Sequence, residues 1–321
     1  MAQVTFDNRV TRLLGVDFPI FQAPMGYVAQ PPLVAAVSEA GAMGLIPGSL
    51  GTARTRDDIH RIRDLTSKPF GVNLPLAFLS DVDIVQMLVD EGIEFVTTSA
   101  GSPDKYGPVL RDAGLIVFHV VPTLKGAQRA VDAGMDGLVV EGSEGAGFKN
   151  PRDVTSMVLL PLIASRLDVP IVAAGGIADG RSMAAAFALG AEGVQMGTRM
   201  LSSVESGVHW NMKQAVLDAA ETDTMLINRH NNKPVRVLRT PTTEPFELAD
   251  TTDVMTLLGN TLKLYEDGEF EGTIPQLGAV AGRIDEILPA AEIVRRTVEE
   301  FGDVLGALAD RYVAATPSAS A

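Results

Sequence analysis

The segment VPIVAAGGIADGR, Val169 to Arg181, and its echo AEGVQMGTR, Ala191 to Arg199, constrain the fold more than any other part of the chain. Each opens on an apolar, β-branched run that reads as a buried strand. Each then breaks into glycine, at Gly175 and Gly176 in the first and at Gly197 in the second. SMAAAFALG between them reads as a helix, so the pair forms a βαβ unit. Glycines at the carboxyl end of a strand let backbone N–H groups approach an anion, because no Cβ stands in the way. In a (β/α)8 barrel the phosphate site is frequently built by the loops after strands seven and eight. One such glycine turn is ordinary in an α/β protein; two in succession, closing a long βα series, predict a phosphate cradle.

The series is present. Strand candidates precede these two in the order PIFQAPM (19–25), AMGLIPG from Ala42, KPFGVNL (68–74), EFVTTSAG from Glu94, LIVFHVV (115–121) and DGLVVEG (136–142). The intervening helices end in Ala40-Gly41, Ala113-Gly114, Ala133-Gly134 and Leu189-Gly190, with glycine where a helix turns left-handed just past its end. The strands are apolar throughout, as expected when both faces are covered. A doubly wound open sheet would carry a glycine-rich phosphate loop after its first strand, and QAPMGY is not one. The expected fold is therefore α/β, a (β/α)8 barrel over residues 1–223. RHNNKPVRVLRTPTTEPF, after the eighth strand, has little helical period. It predicts an inserted lid or subdomain over 224–278 at the barrel's carboxyl end, with helical runs at Asp250–Glu266 and Arg283–Tyr312. A C-terminal helical segment, 279–314, is expected to pack back on the barrel, and the small polar tail 315–321 to be disordered.

With a formal net charge of -14 and no cluster of Lys and Arg, the chain lacks the basic face that nucleic acid requires. It has no cysteine, which excludes disulfides, Fe–S clusters, thiolate zinc sites and a cysteine nucleophile. No apolar run approaches a membrane span, and MAQVTFDNRVTRLLG lacks the apolar core of a signal peptide. The expectation is a cytoplasmic protein acting on a small molecule, with neither nucleic acid nor membrane as partner. Barrel enzymes build their sites at the carboxyl ends of the strands. Those ends carry Gln22, Ala23, Pro24, Met25, Asn73, Thr98, Ser99, His119, Thr123, Glu141, Glu144, Gly175, Gly176, Gln195, Gly197 and Thr198. The set is mostly neutral polar groups and backbone, without a triad or metal cluster. It suits a cofactor that carries the chemistry itself while the protein supplies orientation.

IFQAPM near the start, FGVNL at the third strand, EGSEGAG at the sixth, AAGGIADGRSMAAAFALGAEGVQMGTR across the seventh and eighth, and LPAAEIV near the end stand in this order from about Arg12 to Val298. Together they resemble the nitronate monooxygenase family, once called 2-nitropropane dioxygenases, whose relatives include FMN-dependent enoyl-acyl-carrier reductases and NADH:quinone reductases. The region after Glu221 matches least well. The resemblance implies a TIM barrel holding one non-covalent FMN. Ala23, Pro24 and Met25 would lie near the isoalloxazine, and Asn73 and Glu141 at its polar edge. Gly175, Gly176, Gly197 and Thr198 would hold the phosphate, with Gln195 near it.

The resemblance also exposes a departure. In that family the sixth-strand loop typically reads like GGH, and its histidine moves the proton. Here the loop is Gly145-Ala146-Gly147-Phe148-Lys149-Asn150, and the matching residue is Phe148, which cannot. Three groups are the leading candidates to replace it, and Tyr27, Tyr106 and Tyr265 are further proton-donor candidates that the sequence does not place. His119 ends the fifth strand, where it is either a base or a hydrogen-bonded residue of the barrel mouth. Lys149 adjoins the gap, as a proton donor or a solvated loop lysine. His230 would reach over the flavin if its region is a lid. Phe148 itself would face the substrate and favour a flat or apolar one. These features predict a flavin-dependent oxidoreductase, an NAD(P)H-dependent reductase passing hydride through FMN to an enone, an unsaturated acyl thioester or a quinone. The alternatives are a nitronate monooxygenase using O2 and a catalytically quiet flavin-binding protein. NADH and NADPH are not distinguished, and the stretch after Glu221 is readable as a lid, a homodimer contact or both.

Overall fold

A ring of parallel strands alternating with helices organises the molecule. The computed structural model describes residues 4–77, 79, 83–249 and 253–313; the tail expected over 315–321 lies outside them. In chain order the elements begin α1 (Arg9–Leu14), β1 (Ile20–Gln22), α2 (Pro31–Glu39), β2 (Gly44–Pro47), α3 (Thr52–Arg63), β3 (Phe70–Pro75), α4 (Asp83–Asp90) and β4 (Phe95–Ser99). They continue through α5 (Pro103–Asp112), β5 (Ile116–Val121), α6 (Leu124–Asp132), β6 (Gly137–Glu141), β7 (Gly147–Phe148), α7 (Ser156–Ala164), β8 (Ile171–Ala174), α8 (Gly180–Ala188) and β9 (Gly193–Met196). After them come α9 (Thr198–Leu201), α10 (Trp210–Leu217), β10 (Thr224–Ile227), β11 (Val235–Leu238), α11 (Val254–Gly259) and α12 (Ala290–Tyr312).

Eight of these strands form one parallel sheet in the order β1-β9-β8-β6-β5-β4-β3-β2. A parallel bridge between Phe21 and Met43 joins the two ends, so the sheet closes into the expected (β/α)8 barrel. Side-chain alternation then divides each strand. Leu45, Phe95, Phe118, Val139, Val172 and Ala174 point inward and cluster with Phe21 and Met43. Their neighbours Ile46, Val96, Val117, Val140, Ala173 and Val194 point outward into the layer beneath the helices. Phe95 stands between Phe21 and Phe118 at ring-centroid distances of 5.6 and 5.3 Å and fills the lumen. Val10 and Leu14 of α1 join this cluster from the amino end of the strands. The barrel is therefore a packed core, open to function only at its carboxyl end.

The region after β9 differs from its expected form. The polar stretch is a hairpin: β10 pairs antiparallel with β11, with Thr224 opposite Leu238, and β11 pairs with β7, with Val235 opposite Phe148. Met225, Ile227, Val235 and Val237 form a small core with Val254 and Ile274, so alternation within TMLI and VRVL, not helical period, was the signal. The helical run expected at Asp250–Glu266 is split into α11 and a π-helical turn over Lys263–Asp267. The last helix begins at Ala290 rather than Arg283, behind Pro289 in extended conformation. It crosses α8 and caps it: Glu300 Oε2 accepts from the backbone N–H of Gly180 at 3.0 Å and of Arg181 at 3.3 Å.

Candidate active site

The inward residues one layer above the phenylalanines form the floor of a cavity of about 1060 Å³ at the carboxyl end of the barrel. Ala23, Asn73, Glu141, Ala174 and Gln195 come from five different strands or strand ends and line it. Their strands place them by parity: each lies two residues beyond an inward core residue such as Phe21, Val139 or Val172, or beyond the inward Gly71 and Gly193. Asn73 is locked by β4, with its amide donating to Thr97 Oγ1 at 3.0 Å and its Oδ1 accepting from Ser99 Oγ at 3.2 Å. Gln195 is different: its Oε1 is buried without a hydrogen-bond partner. A buried polar atom left unpaired costs about 1–3 kcal/mol, so an acceptor of this kind in a cavity wall fits a bound group that carries donors.

On one side of the floor Gly175, Gly176, Gly197 and Thr198 line the cavity together. Gly175 and Gly176 have φ of 89° and 80°, a region that costs an L side chain steric energy. A Cβ on Gly175 would also stand 3.1 Å from Gly142 O and Gly145 N. The eighth loop is tied to the far end of the chain, because Thr198 Oγ1 accepts from Gly278 N at 2.9 Å. The next residue, Ala279, donates through its N–H to Glu144 O at 2.9 Å. Ala23, Pro24 and Met25 line the same cavity from the loop after β1.

The sixth loop carries the groups expected at the substrate side. Phe148 lines the cavity and is 41% exposed. Lys149 is no solvated loop lysine: its side chain is 3% exposed and its Nζ lies 2.6 Å from Glu141 Oε1. Nζ has no other polar partner among the described residues, so the ion pair is its one compensating contact. Gly145 makes the pairing possible, because a Cβ there would fall 2.9 Å from Nζ. The hairpin fixes the loop: Lys149 N donates to Pro234 O at 2.8 Å and Arg236 Nε to Ser143 O at 2.9 Å. Glu144, another strand-end candidate, is consumed structurally, with its carboxylate accepting from Ser156 N at 3.0 Å and Ser156 Oγ at 2.7 Å at the start of α7.

The two histidine candidates stand in different surroundings. His119 falls on the outward parity of β5, between the outward Val117 and Val121, and not on the inward side of Phe118. It is buried, its Nδ1 is 2.7 Å from Thr98 Oγ1 on the outward side of β4, and it is among the residues lining the cavity. Burial lowers its pKa to about 4, against the opposing effects of a backbone hydrogen bond at Gly101 and the charge of Asp104, so the ring is neutral. His230 is exposed at the tip of the β10–β11 hairpin and is not among the residues lining the cavity. Its neighbour Arg229 reaches the rim instead, 3.1 Å from Asp153.

Residues beyond β9 supply the rest of the wall, and strand-end reasoning did not find them: Met255, Leu258, Thr261, Tyr265, Gln276 and Val280. No set of three metal-ligating side chains occurs among the described residues.

The model of the nitronate monooxygenase family matches residues 7–84 and 76–300. The structure resembles that of FabK from Thermotoga maritima, with a TM-score of 0.91 at 38% identity over 96% of this chain and 100% of that one. A Rhodococcus jostii (strain RHA1) relative, (3aS,4S,5R,7aS)-5-hydroxy-7a-methyl-1-oxo-octahydro-1H-indene-4-carboxyl-CoA dehydrogenase, is 35% identical over 74% of this chain and 67% of its own. A probable nitronate monooxygenase of Staphylococcus saprophyticus is 32% identical over 71% of this chain and 78% of its own. The glycine floor, the order of the strand-end motifs and these matches agree, and the chain belongs to the nitronate monooxygenase family of oxidoreductases.

Proposed function

We propose that the chain is an FMN-dependent reductase that takes electrons from NAD(P)H and delivers them to a conjugated acceptor, an enone, an unsaturated acyl thioester or a quinone. The residues present fit the flavin. Gly175, Gly176, Gly197 and Thr198 would hold its phosphate, and Ala23, Pro24 and Met25 would lie along the ring. Asn73 and Glu141 would meet the ring's polar edge, and the unpaired Gln195 Oε1 supports a bound group with donors in this place. When bound, the flavin supplies the hydride chemistry, taking two electrons from the nicotinamide and passing them on.

Phe148 carries the choice of reaction. It stands at the cavity where the family's histidine would take a proton from a nitroalkane, and it has no titratable group. A reductase needs no base there; it needs an apolar surface for the acceptor and a proton for the product. Phe148 offers the first. Lys149, buried at the same wall and held beside Glu141, offers the second. The carboxyl-CoA dehydrogenase relative supports thioesters as one acceptor class.

The nitronate reading is supported by the matching family model and by likeness to the Staphylococcus saprophyticus protein, and nitronates arrive already deprotonated. Anaerobic rapid mixing of the flavin-loaded protein with NADH, NADPH and an alkyl nitronate in separate shots separates the readings. Loss of the oxidised-flavin band with a nicotinamide and not with nitronate is the expected result. Bleaching by nitronate alone replaces the reductase with a monooxygenase, and bleaching by none leaves a quiet flavin-binding protein.

A further inference from the structure

Two hydroxyl residues of the cavity wall, Thr261 and Tyr265, come from beyond the barrel and have no part in the flavin site. Thr261 and Tyr265 are one helical turn apart, and both line the cavity from the region inserted after the barrel. Each is only 5% exposed. Thr261 Oγ1 is buried with no hydrogen-bond partner. Met255, Leu258 and Val280 from the same post-barrel region also line the cavity. A buried hydroxyl without a partner, as at Thr261, is rare, and a ligand in the cavity would supply one.

The backbone holds these side chains deliberately. Tyr265 lies in the π-helical turn Lys263–Asp267, which ends at Gly268 in the left-handed conformation. Turns of this kind are rare, insert an extra residue per turn, and occur frequently at functional sites. The ring packs in a cluster with Val28, Leu201 and Leu277, and the Tyr265 carbonyl accepts from His209 N at 2.7 Å. Burial pushes the phenol's pKa up, so it keeps its proton throughout the working range.

We infer that Thr261 and Tyr265 form the subsite for the acceptor's carbonyl oxygen, with Tyr265 donating to it and the Thr261 hydroxyl as its second contact. The inference rests on the reductase reading above and names the functional group the acceptor must carry. In the reduction, hydride originating from NAD(P)H forms the new C–H bond at the β-carbon. The electron pair of the C=C bond moves toward the carbonyl, and negative charge collects on the oxygen at Tyr265. A proton from Lys149, which solvent restores, then bonds to the α-carbon; this re-forms the carbonyl and gives the saturated product. A donor aimed at the atom where charge develops is the most effective place for one hydrogen bond.

Tyr265→Phe and Thr261→Val test this in the full-length, flavin-loaded protein. Cyclohexanone, which cannot be reduced at carbon–carbon, is titrated into the oxidised protein and followed through the flavin spectrum. Its Kd is expected to rise about tenfold in Tyr265→Phe and by roughly threefold in Thr261→Val, the effect of losing one hydrogen bond. In rapid mixing, flavin reduction by NAD(P)H stays within about twofold of the parent. Reoxidation by cyclohexenone slows on the order of a hundredfold in Tyr265→Phe. If the parent flavin is not reduced by either nicotinamide, the reductase reading falls while ketone binding still decides the subsite. Absence of saturable ketone binding by the parent, unchanged Kd in both variants, or equal slowing of both half-reactions overturns it.

Discussion

His119 illustrates how one residue of parity decides a role. A neighbour on either side of it in β5 faces the lumen; His119 faces the helices, and the same outward step puts Thr98 Oγ1 2.7 Å from its Nδ1. The consequence is thermodynamic. Its pKa is about 4 in the fold and about 6.5 when unfolded. Between those values the unfolded chain binds the extra proton, so stability is fully present above pH 6.5 and is lost as pH falls toward 4. The gap corresponds to about 3 kcal/mol at most. Urea midpoints from pH 4 to 7 are expected to slope upward with pH and to flatten in His119→Gln. An equal slope in the variant assigns the acid sensitivity to other groups. Lys149 was legible only as a neighbour of the missing base, because what buries it is a loop that folds back onto Glu141.

At the scale of elements, the sixth loop and the ends of the chain are cross-braced. β7 has two residues and would not persist alone; β11 pairs with it, and Arg236 ties the pair to Ser143. The hairpin therefore acts on the site through Phe148 and Lys149, not by placing His230 over it. At the opposite side α12 packs on α8 so closely that a Cβ on Gly180 would run into the backbone of Thr297 and Phe301. Phe187 and Phe301 meet beside it at 5.0 Å. Backbone cannot rotate away as a side chain can, so Gly180→Ala is expected to destabilise by roughly 1–3 kcal/mol. Thermal unfolding measures this, and a change under about 0.5 kcal/mol would mean that α12 is free to shift.

For the whole molecule, buried polar atoms without hydrogen bonds concentrate at the cavity. Among the described residues five buried side-chain polar atoms lack hydrogen-bond partners, and those of Lys149, Gln195 and Thr261 belong to residues of the cavity wall. A ligand that binds only the folded state raises its stability by mass action, by about 2.7 kcal/mol at a hundred times Kd. Added FMN is accordingly expected to raise the melting temperature of the flavin-free protein. Gly176→Asp is expected to abolish both that rise and flavin retention, because a side chain at φ 80° is strained and its carboxylate repels a phosphate. Stoichiometric flavin in the variant moves the cradle elsewhere. The chain by itself determined the eight strands, their order, the barrel and the glycine floor, since these rest on local signals: apolar runs, glycine at turns, and the period of βα units. It left the hairpin, the π turn, the outward histidine and the Lys149–Glu141 pair to the tertiary structure. Each of those depends on which face a strand presents or on residues far apart in sequence meeting over the barrel, and no local pattern encodes such meetings.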